Sequence, residues 1–211
     1  FNAGSALAMN TIAVQAFLTT TVATATSMMT WMVVDMLTKG KPTLVGVCTG
    51  TLCGLVAITP ACGYVTVAGA FWIGLIATLT SYVFISKIKP RLGIDDALDA
   101  FGCHGVSGIV GSILTGLFAS KAVNGTIALN GLFYGGGLKL FGLELLATGC
   151  TIICTAVLVA GIIIVLKRVI RMRVDEREEA LGLDQGEHGE VADYTVPMSR
   201  ELTDIQHHSD E

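Results

Sequence analysis

Long apolar runs separated by short polar turns fill residues 1–170. Residues 11–37, TIAVQAFLTTTVATATSMMTWMVVDML, are apolar with many threonines, whose hydroxyls can bond back to their own helix backbone. The basic turn Lys39-Gly40-Lys41-Pro42 ends that run. A second run covers 43–58, where Gly46, Gly50 and Gly54 recur at every fourth position and predict a close helix-packing face. In Thr59-Pro60-Ala61-Cys62-Gly63-Tyr64 a proline breaks the helix and a glycine frees the turn. Further runs cover 65–86, 95–119 and 139–170, the last interrupted only by Glu144, and a Gly-rich loop over 120–137 precedes it. A helix needs about 20 apolar residues to cross a bilayer, so this pattern predicts an all-α polytopic membrane protein with five full spans. Residues 1–10 read as the end of a preceding helix and a short turn around Asn2–Ser5.

Composition supports a lipid bilayer as the solvent of these runs, with 52% hydrophobic residues and a mean hydropathy of +0.69. The net charge of −4 hides two regions: residues 1–174 carry 11 basic against 5 acidic side chains, and residues 175–211 carry 2 against 12. The chain therefore divides into a transmembrane domain, 1–170, and an acidic tail, 171–211, that has no use for nucleic acid or anionic lipid as a partner. Arg173–Leu181 suits a short exposed helix broken by Gly182 and Gly186, with a flexible composition beyond about Val191. The basic residues at 39–41, 87–91 and 167–173 fall on alternate loops, which the positive-inside rule makes cytoplasmic. That puts Phe1–Ser5 outside and the tail in the cytoplasm. The six cysteines lie almost wholly in apolar runs and read as packing residues; no metal cluster, nucleophile triad or phosphate loop points to a cofactor or an enzyme.

One stretch concentrates the chemistry. Residues 95–119, DDALDAFGCHGVSGIVGSILTGLFA, set His104 in an apolar run beyond Asp95, Asp96 and Asp99. If the span begins at Asp95, nine residues at about 1.5 Å each put the imidazole about 13 Å in, near the middle of the hydrocarbon. Steps of four from Ala100 meet His104, Gly108, Ser112 and Gly116, a stripe of small residues that lets another helix or a narrow pore approach. The span alone leaves two roles open: a group on a substrate or proton path, or a core histidine bonded to a neighbouring helix. The three aspartates suit the inner helix start, where carboxylates meet the positive end of the dipole. A neutral imidazole can donate one hydrogen bond and accept another, which suits a small polar molecule that sheds a proton better than a permanent ion. Phe1 and Ser5, four residues apart, offer an aromatic face and a hydroxyl to a small cation, or simply pack and cap.

Four motifs in order, FNAGS at 1–5, TPACGY at 59–64, DALDAFGCHGVSGIVGSILTGLFA at 96–119 and GLDQGEHGE at 182–190, resemble the C-terminal half of an ammonium transporter of the Amt/Mep/Rh family, Amt-type, with a short tail that fits a bacterial source. The resemblance runs from Phe1 to about Tyr194. It implies an ammonium-transporter fold, of which this chain holds the end of the sixth helix and helices seven to eleven of an 11-span inverted-repeat subunit, in a homotrimer with one pore per subunit. Phe1 matches the inner of two stacked gate phenylalanines, Ser5 the hydroxyl of the ammonium recruitment site, and His104 the second of twin pore histidines. Asp96 and Asp99 match the inner helix start. The implied function is ammonium recruitment, deprotonation and passage of ammonia past the histidines, with the tail in contact with a PII-type regulatory protein. No cofactor or metal is implied. On this reading the chain is a fragment lacking the partner histidine and second gate phenylalanine, not competent alone. The alternatives are an ammonium sensor and a non-conducting half that needs a partner chain.

Overall fold

The computed structural model describes residues 1–190, and all regular structure among them is helical. Five long helices follow one another: α1 Thr11–Lys39, α2 Leu44–Ile58, α3 Val67–Leu92, α4 Phe101–Phe118 and α5 Leu138–Val169. All but α2 are long and apolar enough to cross a membrane. The 15 residues of α2 span about 23 Å at 1.5 Å per residue. The chain divides into two compact units, Phe1–Cys154 and Thr155–Glu211.

The first three helices start where a short polar side chain takes an orphan backbone N–H. Asn10 accepts from Ala13 N at 2.9 Å, Thr43 from Gly46 N at 3.1 Å and Thr66 from Gly69 N at 3.1 Å. Gly40, at φ +77°, ends α1 in the left-handed region. The glycine face of α2 meets α1 in antiparallel steps: Ser27, Trp31 and Asp35 lie over Gly54, Gly50 and Gly46. A Cβ on Gly54 would sit 2.7 Å from Ser27 Cβ, and one on Gly74 of α3 would sit 2.6 Å from Ala23 O. Ser27 Oγ donates to Gly74 O at 3.0 Å, so glycines let three backbones close on one serine.

The turn after α2 is fastened from two sides. Thr19 Oγ1 donates to Cys62 O at 2.7 Å and Gln15 Nε2 to Val65 O at 2.8 Å. From the loop beyond α4, Ser120 N donates to Tyr64 O at 2.8 Å and Asn124 Nδ2 to Gly63 O at 3.2 Å. Buried carbonyls without a helical partner are thereby satisfied.

Two boundaries differ from the sequence reading. The third helix runs on past Ser86 because it opens into a π turn at Phe84–Ile88, where Lys89 N bonds Phe84 O, and Gly93 at φ +62° finally ends it. Pro90 sits in the first turn of the following segment, where its missing N–H costs nothing. The fourth helix starts at Phe101 instead of Asp95. Asp99 turns the chain at φ +55°, and Asp96 accepts from Ala100 N at 2.9 Å and Phe101 N at 2.8 Å. His104 is therefore the fourth residue of α4, about 5 Å along its axis at 1.5 Å per residue, not the 13 Å reckoned from Asp95.

In the second unit, α6 Glu176–Leu181 is opened by a capping box between Asp175 and Glu178, and α7 Leu183–Gly186 follows. Arg173 donates to Glu179 at 2.7 and 3.1 Å and holds that exposed carboxyl below its ordinary range. Residues 191–211, the end of the expected acidic tail with its flexible composition, lie outside the described residues.

Candidate functional site

His104 stands on a second π turn, Phe101–Val106, at the start of α4. A π turn is costlier than an α turn and collects at functional positions. This one packs on the other: the Phe84 and Phe101 rings lie 5.5 Å apart, and a Cβ on Gly102 would come within 2.7 Å of Ile85 Cδ1. Cys103 beside it is buried with Cys53 and Trp31, while His104 itself is exposed. Further along α4, Gly111 lies against the Ala57 backbone of α2, whereas a Cβ on Gly108 would meet only Val56 at 3.7 Å. Of the small-residue stripe, Gly116 faces α5, where a Cβ would stand 2.9 Å from Phe141 Cα, while the contact with α2 is made by Gly111, which lies off the stripe.

Phe1 and Ser5 come together in a short turn, Ser5 N and Ser5 Oγ both donating to Phe1 O at 3.1 Å. The Phe1 side chain is fully exposed and lines a cavity of about 420 Å³ with Thr20, Thr24, Met28 and Leu55. His104 is not among the residues of that cavity. Asp96 and Asp99 gather at the other end of α4's first turn: Lys89 Nζ contacts Asp99 Oδ1 and donates to Asp96 O at 2.8 Å, tying α3 to α4. Here the aspartates bond backbone N–H groups and a lysine, which is the chemistry of a helix start.

Two charged groups received no role in the sequence reading. Asp35, four residues before Lys39, has no solvent exposure; Lys39 Nζ lies 2.8 Å from Oδ1 and Thr43 Oγ1 donates to Oδ2 at 2.9 Å. Lys39 also lies 5.9 Å from the centre of the Tyr82 ring, which stacks edge-on to Trp31 at 5.0 Å. The i,i+4 spacing of opposite charges inside an apolar run was the available signal. The second group, Glu144, packs on α4: a Cβ on Gly116 would be 3.2 Å from its Cγ. Glu144 lines both a cavity of about 420 Å³ shared with Pro60, Tyr64, Thr115 and Ile127, and one of about 270 Å³ shared with Gly105, Gly108, Ser112, Thr148 and Thr151. Here an ionisable residue within an apolar helix was the signal.

The helical fold has counterparts in known proteins. The family model "Ammonium Transporter Family" matches residues 1–193. The chain belongs to the ammonium transporter family. An ammonium transporter from Aquifex aeolicus is 48% identical over 192 residues, 91% of this chain and 44% of that protein. One from Bacillus subtilis is 41% identical over 192 residues, 91% of this chain and 47% of the relative. Among solved structures, Candida albicans Mep2 superposes with a TM-score of 0.74 at 34% identity, over 83% of this chain and 40% of that one. A protein described as a sensor Amt protein superposes at 0.64 and 27% identity, covering 88% and 44%. The chain thus spans less than half the length of these ammonium transporter relatives, and it is an all-α membrane protein of a transporter family, not of an enzyme family.

Proposed function

We propose that this chain supplies one half of an ammonium-conducting pore in the cell membrane, with His104 as the imidazole that passes ammonia and Phe1 and Ser5 at the outer mouth. The observation that carries the reading is His104 itself: an exposed imidazole on a costly π turn, one residue from a buried packing core, in a family of ammonium transporters. A histidine kept for the core would be buried and bonded, and this one faces away from the core. Ammonium recruited outside sheds its proton, and neutral ammonia moves past a ring that donates and accepts in turn. Asp96 and Asp99 hold the start of α4, and with it the ring, by capping and by the contact with Lys89. In His104→Ala, uptake of ammonium or selectivity over other small cations should fall by about a hundredfold, the scale at which a positioned proton-handling group acts. Unchanged uptake and selectivity in liposomes containing the gene-encoded subunit would return His104 to a packing role.

The positive-inside rule applied to the basic loops supports a cytoplasmic tail, and α6 carries Glu176, Glu178 and Glu179 in its first turn. We assign the tail a regulatory contact with a PII-type protein, and the subunit a homotrimeric assembly. The mass of the purified assembly, and its capture of a purified PII-type protein under varied nucleotide conditions, test both; a monomer, or no capture under any condition, would remove them. A sensor role is the second reading, favoured by the structural likeness to the sensor Amt protein, and would show as signalling without uptake.

A further inference from the structure

Glu144 is the side chain where two cavities meet. The outer cavity, about 420 Å³, is walled by the Pro60–Tyr64 turn, Thr115 of α4 and the loop at Ile127–Leu129. The inner cavity, about 270 Å³, runs along the α4–α5 seam and reaches Gly105, the residue after His104. Both include Glu144, and no other residue lines both. The sequence builds the seam from two matched faces. On α5, Glu144, Thr148 and Thr151 repeat at i, i+4 and i+7; on α4, Gly105, Gly108 and Ser112 repeat at i, i+3 and i+7 and leave the space open. Gly116 leaves room beside the glutamate: a Cβ there would lie 2.9 Å from Phe141 Cα and 3.2 and 3.3 Å from the Cγ and Cβ of Glu144.

A second, independent observation concerns Thr148. Its Oγ1 is buried without a hydrogen-bond partner among the described residues. Thr151 spends its proton on Ala147 O at 2.8 Å, as threonines in apolar helices do, whereas Thr148 does not. A buried hydroxyl left over beside a cavity of this size is satisfied by water, and the polar partners such a water needs are Glu144, Ser112 and Thr151. A carboxyl among water-holding hydroxyls at this depth is costly unless it can change its charge. Of the residues lining the two cavities, Glu144 carries the one carboxyl.

We propose that Glu144 is a proton-exchange group that joins water in the outer cavity to water in the inner cavity beside His104. The carboxylate takes a proton from hydronium on the outer side, leaving water, and the carboxyl passes it to water on the inner side, leaving hydronium. Only O–H bonds form and break, the group returns to its starting state, and no oxidant or reductant is needed. This rests on the transport reading above, to which it adds a route for the proton separate from the imidazole.

The test uses the gene-encoded subunit in liposomes, with substrate uptake and ammonium-evoked charge movement recorded side by side. Glu144→Gln keeps the shape and removes the exchangeable proton; charge movement should fall by about a hundredfold, and Glu144→Asp should restore most of it. Charge movement in Glu144→Gln equal to that of the unaltered protein overturns the proposal while leaving ammonium transport standing. Absence of uptake by the unaltered protein overturns the transport reading instead. A second measurement holds if Glu144→Gln fails to fold: a hydrophobic carbodiimide, which modifies protonated carboxyls, should label Glu144 in the unaltered protein, located by peptide mass, and less so as pH rises. No labelling at any pH at which the protein stays folded overturns the proposal.

Discussion

At the scale of single residues, the Asp35 cluster shows how a membrane helix carries a full charge. Its carboxylate has no exposure, yet it accepts from Thr43 Oγ1 and faces Lys39, whose own side chain is half exposed. The two partners are therefore unequal. Lys39→Met strands a buried carboxylate with only Thr43 to answer it, which should cost about 3 kcal/mol. Asp35→Asn keeps a polar group for Thr43 and frees Lys39 to turn to water, so it should cost about 1.5 kcal/mol, the worth of a charge-assisted bond. Thermal unfolding of the purified protein in detergent measures the order of the two. Asn above Met in destabilisation would mean that the carboxylate reaches water by another path. The nearby Gly46 admits no replacement, because a Cβ there would lie 2.6 Å from both Thr43 Oγ1 and Trp31 Nε1.

At the scale of elements, hydropathy and turn chemistry made the helices legible. The runs over 11–37 and 139–170 read as helices because apolar length has few other uses, and the corresponding helices are Thr11–Lys39 and Leu138–Val169. The glycines at 46, 50 and 54 predict a close packing face, since every fourth position falls on one side, and α1 fills it. What stayed hidden were the π turns at Phe84–Ile88 and Phe101–Val106. An i→i+5 bond selects no residue type, so stepping by fours through Ala100, His104 and Gly108 assumes a uniform helix that the backbone does not follow. The start of α4 is illegible for a related reason: three aspartates suggest an N-terminal turn, but nothing in their pattern says that Asp99 will go left-handed. Of the candidate site, His104 was legible as an ionisable group in an apolar run. The seam beside it was not, because Glu144 looked like an interruption until Gly116 and the two cavities gave it a place.

At the scale of the whole molecule, the decisive feature is how much aromatic and apolar surface this chain leaves exposed. Phe1 is fully exposed, His104 is exposed, and no residue of the 32 in α5 is buried. Scattered exposed apolar residues are ordinary, but on the proposed function an exposed imidazole and an exposed phenylalanine need a facing wall to make a pore. The ammonium transporters from Aquifex aeolicus and Bacillus subtilis are more than twice as long as the stretch they share with it. A pore closed on one side by lipid alone would offer ammonia no single-file path, and a polar group turned to hydrocarbon would cost several kcal/mol. Residues 1–211 expressed by themselves, in cells stripped of their own ammonium transporters, should therefore insert in the membrane yet give no growth on low ammonium and no methylammonium uptake. Supplying the complementary half as a separate chain should restore both. Growth rescue by residues 1–211 alone would show that the walls present here already enclose a path, and would shift attention from the open face of His104 to the closed seam at Glu144.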